Sequence, residues 1–433
     1  MSNSLSNPLD RRRFLGLMGA TGLSLATAAC AGPGSTGTKS GSAAPTVSGP
    51  VTDTLSFAHW RAEDREVFEK IVASFVKANP DAGIKQDISP SADYQASALQ
   101  RLRSGNVGDV FSAFRGAQFS DMNSAGLFTD LSAQDFAQKY TSPYAEVGRQ
   151  DGKQMGLPYQ VVFLMPVYNA DLFDRSGISE VPTDWDGFLG MCDTLQSKGV
   201  VPLAWPGGDP GNAGQLFNSM VMNNAPSADM CTKIEAGEYT CTDDWFLKTL
   251  SQYAELRPYM QKNAAGTAPE PLQQMFVSEK AGMLATGSYH IAACRALGAN
   301  FAMDVLSPIT VEASEATFQG VHNATFILGL NSASDKQETG VAFLEHLSDP
   351  AVASVYANGT TQHVPVMGVE YTNPDLRRVE PWLDRDTILA PRYQFLDLDV
   401  GSVVEGSCTA VVGGKSPEQA AEEAQKVVDE QIS

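Results

Sequence analysis

Six cysteines and five histidines in 433 residues leave little material for metal or redox chemistry. No C-x-x-C and no H-x-x-x-H spacing occurs, which argues against a zinc site, and neither a metal nor a cofactor is expected. No G-x-S-x-G is present, so the strained turn that presents a nucleophilic serine is missing. The full G-x-x-x-x-G-K-[ST] phosphate loop is absent as well, at Gly105-Asn-Val-Gly108 and at Gly413-Gly414 alike. Adjacent carboxylates such as Asp243 and Asp244 arise by chance in so acidic a chain. Nothing in the sequence marks an apolar pocket around them that would raise one pKa for acid–base work. Basic residues are scarce: 30 Lys and Arg stand against 50 Asp and Glu, a net charge of −20. That balance excludes nucleic acid and an anionic membrane surface as natural partners and fits an acidic, soluble exterior. On these grounds the chain is not expected to be an enzyme.

What is present begins with export signals. Asp10-Arg-Arg-Arg-Phe-Leu15 resembles a twin-arginine motif, and Phe14 to Ala29 is apolar but too short and too mildly hydrophobic for a membrane span. Residues 1–29 therefore read as a signal peptide. Thr27-Ala28-Ala29-Cys30 resembles a lipobox, with Thr27 where Leu is usual; Ala26-Thr27-Ala28 offers an ordinary cleavage site as the rival. Lipidation of Cys30 is favoured because residues 30–51 form a Gly-, Ser-, Thr- and Pro-rich linker suited to a tether. The protein would then touch the membrane through its N-terminal lipid only. Export permits disulfides, and Cys231 and Cys241, ten apart in a polar segment, are the expected pair.

The remaining chain is too long for one core, so two lobes are expected. Strand-like and helix-like segments alternate from Leu55 to Phe114: strands near 55–60, 84–88 and 109–114, helices near 63–79 and 94–104. This order predicts parallel strands with right-handed crossovers. Leu157 to Tyr168 reads as one buried strand, followed by a short helix stopped at Gly177 and a helix from about 184 that Thr183 could cap. Further helices are expected near 213–224, 243–262, 271–279, 336–347 and 351–358, with strands near 200–205, 281–285, 301–306 and 322–330. Ser416 should cap a closing helix with Pro417 at its first position. Residues 371–399 have no period and receive no assignment.

The stretch Met155-Gly-Leu-Pro-Tyr159, Tyr168-Asn-Ala-Asp-Leu-Phe173, Pro182-Thr-Asp-Trp-Asp-Gly-Phe188 and Pro202-Leu-Ala-Trp205 resembles the crossover of extracellular solute-binding proteins of ABC importers, the sugar-binding group that includes maltose-binding protein. Phe276-Val-Ser-Glu-Lys-Ala-Gly-Met283, Gly287-Ser-Tyr289, Gly340-Val-Ala-Phe-Leu344 and Ser416-Pro-Glu-Gln-Ala-Ala421 continue it over nearly the whole mature chain. Asp186 departs from the usual Glu. The resemblance implies an α/β, two-lobed, type II periplasmic-binding-protein-like fold. Each lobe would hold a mainly parallel sheet flanked by helices, joined by a multi-strand hinge. Lobe 1 would comprise 52–160 and 308–363, and lobe 2 would comprise 161–307 and 364–433. The implied function is capture of a carbohydrate between the lobes and delivery to the transmembrane subunits of an ABC permease, by a monomer. A secreted carbohydrate-active enzyme and a ligand sensor without a transport role are the alternatives.

Ligands of open α/β sheets bind beyond the carboxyl ends of the strands. A sugar needs aromatic planes for its C–H faces and planar polar groups for its hydroxyls. Trp60, Arg61 and Glu63 follow the first strand, and Arg115 follows the third, where the resemblance implies an acidic residue; Arg there points to an acidic sugar or another anion. Tyr159 and Gln160 lie at the crossover and Trp205 ends a strand of the second lobe. Tyr289 occupies the place where the family often has a stacking Trp, and His322 and Asn323 start a returning strand. Each competes with a purely structural role in core packing or surface ion pairs.

Overall fold

In the computed structural model, residues 42–432 other than Asn106 are described. The signal peptide, Cys30 and the first part of the linker lie outside the described residues. Two sheets organise the rest. The first runs in the order Thr387–Leu389, Gly320–Leu330, Val110–Ala113, Thr54–His59, Gly83–Ile88, and Leu157–Phe163 also pairs with Gly320–Leu330. The three strands of the N-terminal β-α-β-α-β run pair in parallel. Gly320–Leu330 runs antiparallel to Val110–Ala113 and to Leu157–Phe163. The second sheet runs Met303–Val305, Val167–Asn169, Ala281–Leu284, Val201–Ala204.

Most expected elements form within a few residues of their sequence bounds. Val67, Phe68, Ile71 and Phe75 make the buried stripe of the helix Arg65–Ala78, at helical spacing. The run Leu157 to Tyr168 is two strands: Leu157–Phe163 stays in the first sheet, and Val167–Asn169 enters the second. Its uniform apolarity hides the break because both strands are buried. The helix Trp185–Ser197 is capped by Asp184, not Thr183: the Asp184 carboxylate accepts from the Gly187 N–H at 2.7 Å. Ser416 does cap the final helix, Pro417–Ile432, accepting from the Gln419 N–H at 3.2 Å.

The unassigned stretch proves structured. It holds the helix Pro374–Val379, the short strand Thr387–Leu389, a 3-10 turn Pro391–Gln394 and the start of the helix Leu398–Val412. Thr387–Leu389 joins the first sheet from within the segment expected in lobe 2, and the chain then turns towards helix Pro210–Val221.

The expected Cys231–Cys241 bridge does not form. Cys192, Cys231, Cys241, Cys294 and Cys408 are all free and buried. The segment around Cys231 is a helix, Met230–Glu235, rather than the polar loop the sequence suggested. Separate side chains hold the two backbones: the Cys231 N–H donates to Gln394 and the Cys241 N–H to Gln425. Burial pushes the Cys241 thiol up to about 12 and the Cys231 thiol well above its usual value. Among the described residues no helix is long and apolar enough to cross a membrane.

Candidate functional site

A cavity of about 430 Å³ opens where three segments meet. That volume falls in the range of small-molecule sites, roughly 300–1,000 Å³. Phe114 to Gln118 follow the strand Val110–Ala113 of the first sheet, and Gly207 to Gly214 follow the strand Val201–Ala204 of the second. Both lie beyond strand carboxyl ends, as open α/β sheets place their ligands. The third wall, Arg392 to Thr409, comes from the turn Pro391–Gln394 and the helix Leu398–Val412.

Three rings, Phe114, Tyr393 and Phe395, offer apolar planes to the cavity, and Gln95, Gln118, Ser402 and Thr409 offer polar groups. Its charged lining residues are Arg115, Arg392 and Glu405. Arg392 has a carboxylate partner. It pairs with Glu405 at 2.9 Å, donates to the Gly211 carbonyl at 2.6 Å, and its backbone N–H donates to Asn218 at 3.0 Å. Burial works against both charges of the pair. It holds the Glu405 carboxyl above its usual range although Arg392 opposes it. At Arg392, burial is outweighed by Glu405, Tyr393 and Tyr289, and the pKa is raised. Gly214 makes room for the pair, since a Cβ there would fall 2.0 Å from Glu405 Oε2 and 2.8 Å from Arg392 Cζ.

Arg115 is different. It donates to the Ala390 carbonyl at 3.1 Å and stands 6.0 Å from the centre of the Tyr393 ring. No carboxylate among the described residues pairs with it within 4.0 Å. Burial lowers its pKa to about 10, so it remains a cation at neutral pH. Gly116 beside it has φ 86°, a left-handed conformation, and a Cβ there would meet the Tyr393 carbonyl at 2.9 Å. Glycine thus lets the first and third walls touch.

Of the residues singled out from sequence, Arg115 lines the cavity. Trp60 stands one layer behind, stacked on Phe114 with ring centres 3.7 Å apart and planes 17° apart. Tyr289 sits at the margin, donating to Asn212 Oδ1 at 2.7 Å beside the lining residues Gly211 and Ala213. The structure does not bring the others there. Arg61 pairs with Glu63 and with buried Asp64, which also accepts from the Tyr356 hydroxyl at 2.6 Å. Gln160 donates to that same hydroxyl, and Tyr159 donates to the Leu347 carbonyl at 2.8 Å. These groups form a polar brace inside the first sheet's helical layer, and Glu63 reaches solvent. Trp205 is fully buried and donates to the Ala213 carbonyl, supporting the second wall from below. His322 shares a hydrogen bond with Thr387; burial first, then Arg115, lowers its pKa to about 4. Asn323 is buried, its side-chain oxygen without a hydrogen-bond partner. Phe114, Tyr393, Phe395, Arg392 and Glu405 also line the cavity, and no sequence signal singled them out. Arg392-Tyr393 was visible as a cation beside an aromatic, but no period placed it on an element.

The family model for bacterial extracellular solute-binding proteins matches residues 61–354. The chain is 25% identical to the diacetylchitobiose binding protein DasA of Streptomyces coelicolor, over 95% of this chain and 97% of that one. Among solved structures, a chitin oligosaccharide binding protein superposes with TM-score 0.72 at 21% identity, covering 88% of this chain and 98% of that one. The apo form of RafE from Streptococcus pneumoniae superposes with TM-score 0.75 at 19% identity, covering 89% and 100%. The matched segment carries both sheets' central strands and two of the three cavity walls, and this chain belongs to the family of bacterial extracellular solute-binding proteins, with their two-lobed type II α/β fold.

Proposed function

We propose that this protein captures a carbohydrate in the cavity between Phe114–Gln118, Gly207–Gly214 and Arg392–Thr409 and hands it to an ABC permease, without altering it. The observation that carries the reading is the lining itself: three aromatic rings for sugar faces, with amides, hydroxyls and a guanidinium for sugar hydroxyls. Relatives named for diacetylchitobiose, chitin oligosaccharide and raffinose binding support it. Tyr393, Phe395 and Phe114 are the stacking candidates; Trp60 stiffens Phe114, and Tyr289 holds Asn212 at the rim. The walls move as two bodies, 52–160 with 308–363 and 161–307 with 364–433 save that Thr387–Leu389 stays with the first sheet, and closure is a population shift driven by ligand contacts from both. The protein works as a monomer outside the cell, tethered by lipid on Cys30 after removal of residues 1–29.

A thermal-shift screen of the mature protein over neutral and acidic mono- and oligosaccharides tests the reading. A ligand at 100 times its Kd adds about 2.7 kcal/mol of stability. Stabilisation by a sugar that is recovered unchanged is expected. Chemical conversion of the sugar would favour an enzyme, and stabilisation only by amino acids or peptides would overturn the carbohydrate. Mass spectrometry of the exported protein checks the anchor, since an intact, unlipidated peptide across Ala29–Cys30 would refute it.

A further inference from the structure

We propose that the ligand of this cavity is a carbohydrate carrying one anionic group, which the Arg115 guanidinium receives. The proposal rests on the carbohydrate reading above and narrows it. Three residues bring formal charge to the cavity, and two of them, Arg392 and Glu405, neutralise each other at 2.9 Å. One positive charge is left over. It stands in a chain whose net charge is −20, where an acidic neighbour would be the common accident.

Arg115 is held in place yet under-used. A guanidinium has five N–H donors in a flat fork. Here one hydrogen bond is made, to the Ala390 carbonyl, and the Tyr393 ring lies 6.0 Å from the guanidinium carbon. The nearby His322 is kept neutral by burial and by Arg115, so it adds no second positive charge beside the guanidinium. A part-buried cation with free donors is costly to the empty protein. A carboxylate or phosphate of the ligand would remove that cost and accept two parallel N–H bonds. A neutral sugar could use the same donors for hydroxyls but would leave the charge uncompensated. Gln95, Gln118, Ser402 and Thr409 remain for the uncharged hydroxyls, and Phe114 and Tyr393 for the ring faces.

Calorimetry with matched pairs is the test: glucuronate against glucose, galacturonate against galactose, digalacturonate against digalactose, and glucose 6-phosphate as the phosphate arm. The expected result is that an acid binds roughly tenfold to a hundredfold more tightly than its neutral partner. The carboxylate and phosphate arms then say which oxyanion is native. In Arg115→Met the acid-to-neutral ratio should collapse towards one, and in Arg115→Lys it should recover in part, because charge returns without the fork. Arg115→Lys also keeps the test alive if Arg115→Met fails to fold. Neutral sugars binding as tightly as their acids, or an unchanged ratio in both folded variants, would overturn the anionic ligand and leave the carbohydrate reading standing. Failure of every sugar, neutral and acidic, to bind would overturn both.

Discussion

Arg115 and Arg392 flank one tyrosine, 6.0 and 5.5 Å from the centre of the Tyr393 ring, and line one cavity. Burial bears against both cations. At Arg392 a carboxylate and one carbonyl oxygen answer it, and the pKa ends up raised. At Arg115 one carbonyl and a distant ring do not, and the pKa falls. The same residue type is thus structural on one wall and available on the other. Lining the cavity does not by itself free a charge for a ligand; at Arg392 a carboxylate already neutralises it.

The largest expected effect tests that contrast. Glu405→Ala would leave the buried Arg392 cation without its counter-charge and should cost roughly 3–5 kcal/mol in urea unfolding. Arg115→Met loses one hydrogen bond and should cost no more than about 1.5 kcal/mol. Equal losses would erase the distinction between the two arginines. Next comes Gly214→Ala. Its Cβ would strike Glu405 and Arg392, and overpacking of that kind costs about 1–3 kcal/mol, against less than about 1 kcal/mol gained from helix propensity. A lowered melting temperature is expected. Combining it with Glu405→Ala should give less than the sum, because the nearest atom it strikes, Glu405 Oε2, is gone. Simple additivity would mean the clash lies elsewhere.

Tyr289→Phe is smaller still. It removes the hydrogen bond to Asn212 at the rim and should cost about 0.5–1.5 kcal/mol, read by chemical denaturation. The smallest effect is in pH. His322 has a folded pKa of about 4 against an ordinary 6.5, so the unfolded chain takes up its proton first as pH falls. Its contribution to stability is whole above about pH 6.5 and is lost as pH drops towards 4. Arg115 helps burial keep the imidazole neutral, so melting curves of Arg115→Met should show a slightly shallower loss across that window. An unchanged loss would mean that Arg115 does not act on His322.

How far the sequence could be read differs along the chain for physical reasons. The helix Arg65–Ala78 buries one stripe and exposes the rest, so its period is plain. The helix Leu398–Val412 buries Val400, Gly401, Val404, Ser407, Cys408, Val411 and Val412 at helical spacing, but Gly401 and Ser407 interrupt the apolar stripe while Leu398 and Val403 lie off it, and Gly401 and Gly406 lower its intrinsic preference. Before it come a six-residue helix, a three-residue strand and a 3-10 turn, all shorter than any window that detects a period. One whole wall of the cavity was illegible on that account. Position relative to a strand was legible, but the direction of a side chain was not. Trp205 and Arg115 both follow strands, yet one goes under a helix and the other into the cavity.

By itself the sequence determined the α/β alternation, the excess of acid, and the placing of Arg115 just past a strand end, because periodicity, composition and chain order are local or additive properties. Only the tertiary structure decided that Glu405 answers Arg392 and that Arg115 meets a carbonyl but no carboxylate among the described residues. It also decided that Arg61, Tyr159 and Gln160 spend their polar groups on one another's neighbourhood around Asp64, Tyr356 and Leu347. Partners hundreds of positions apart meet only when the sheets are assembled, and a buried charge is defined by what stands within about 4 Å of it.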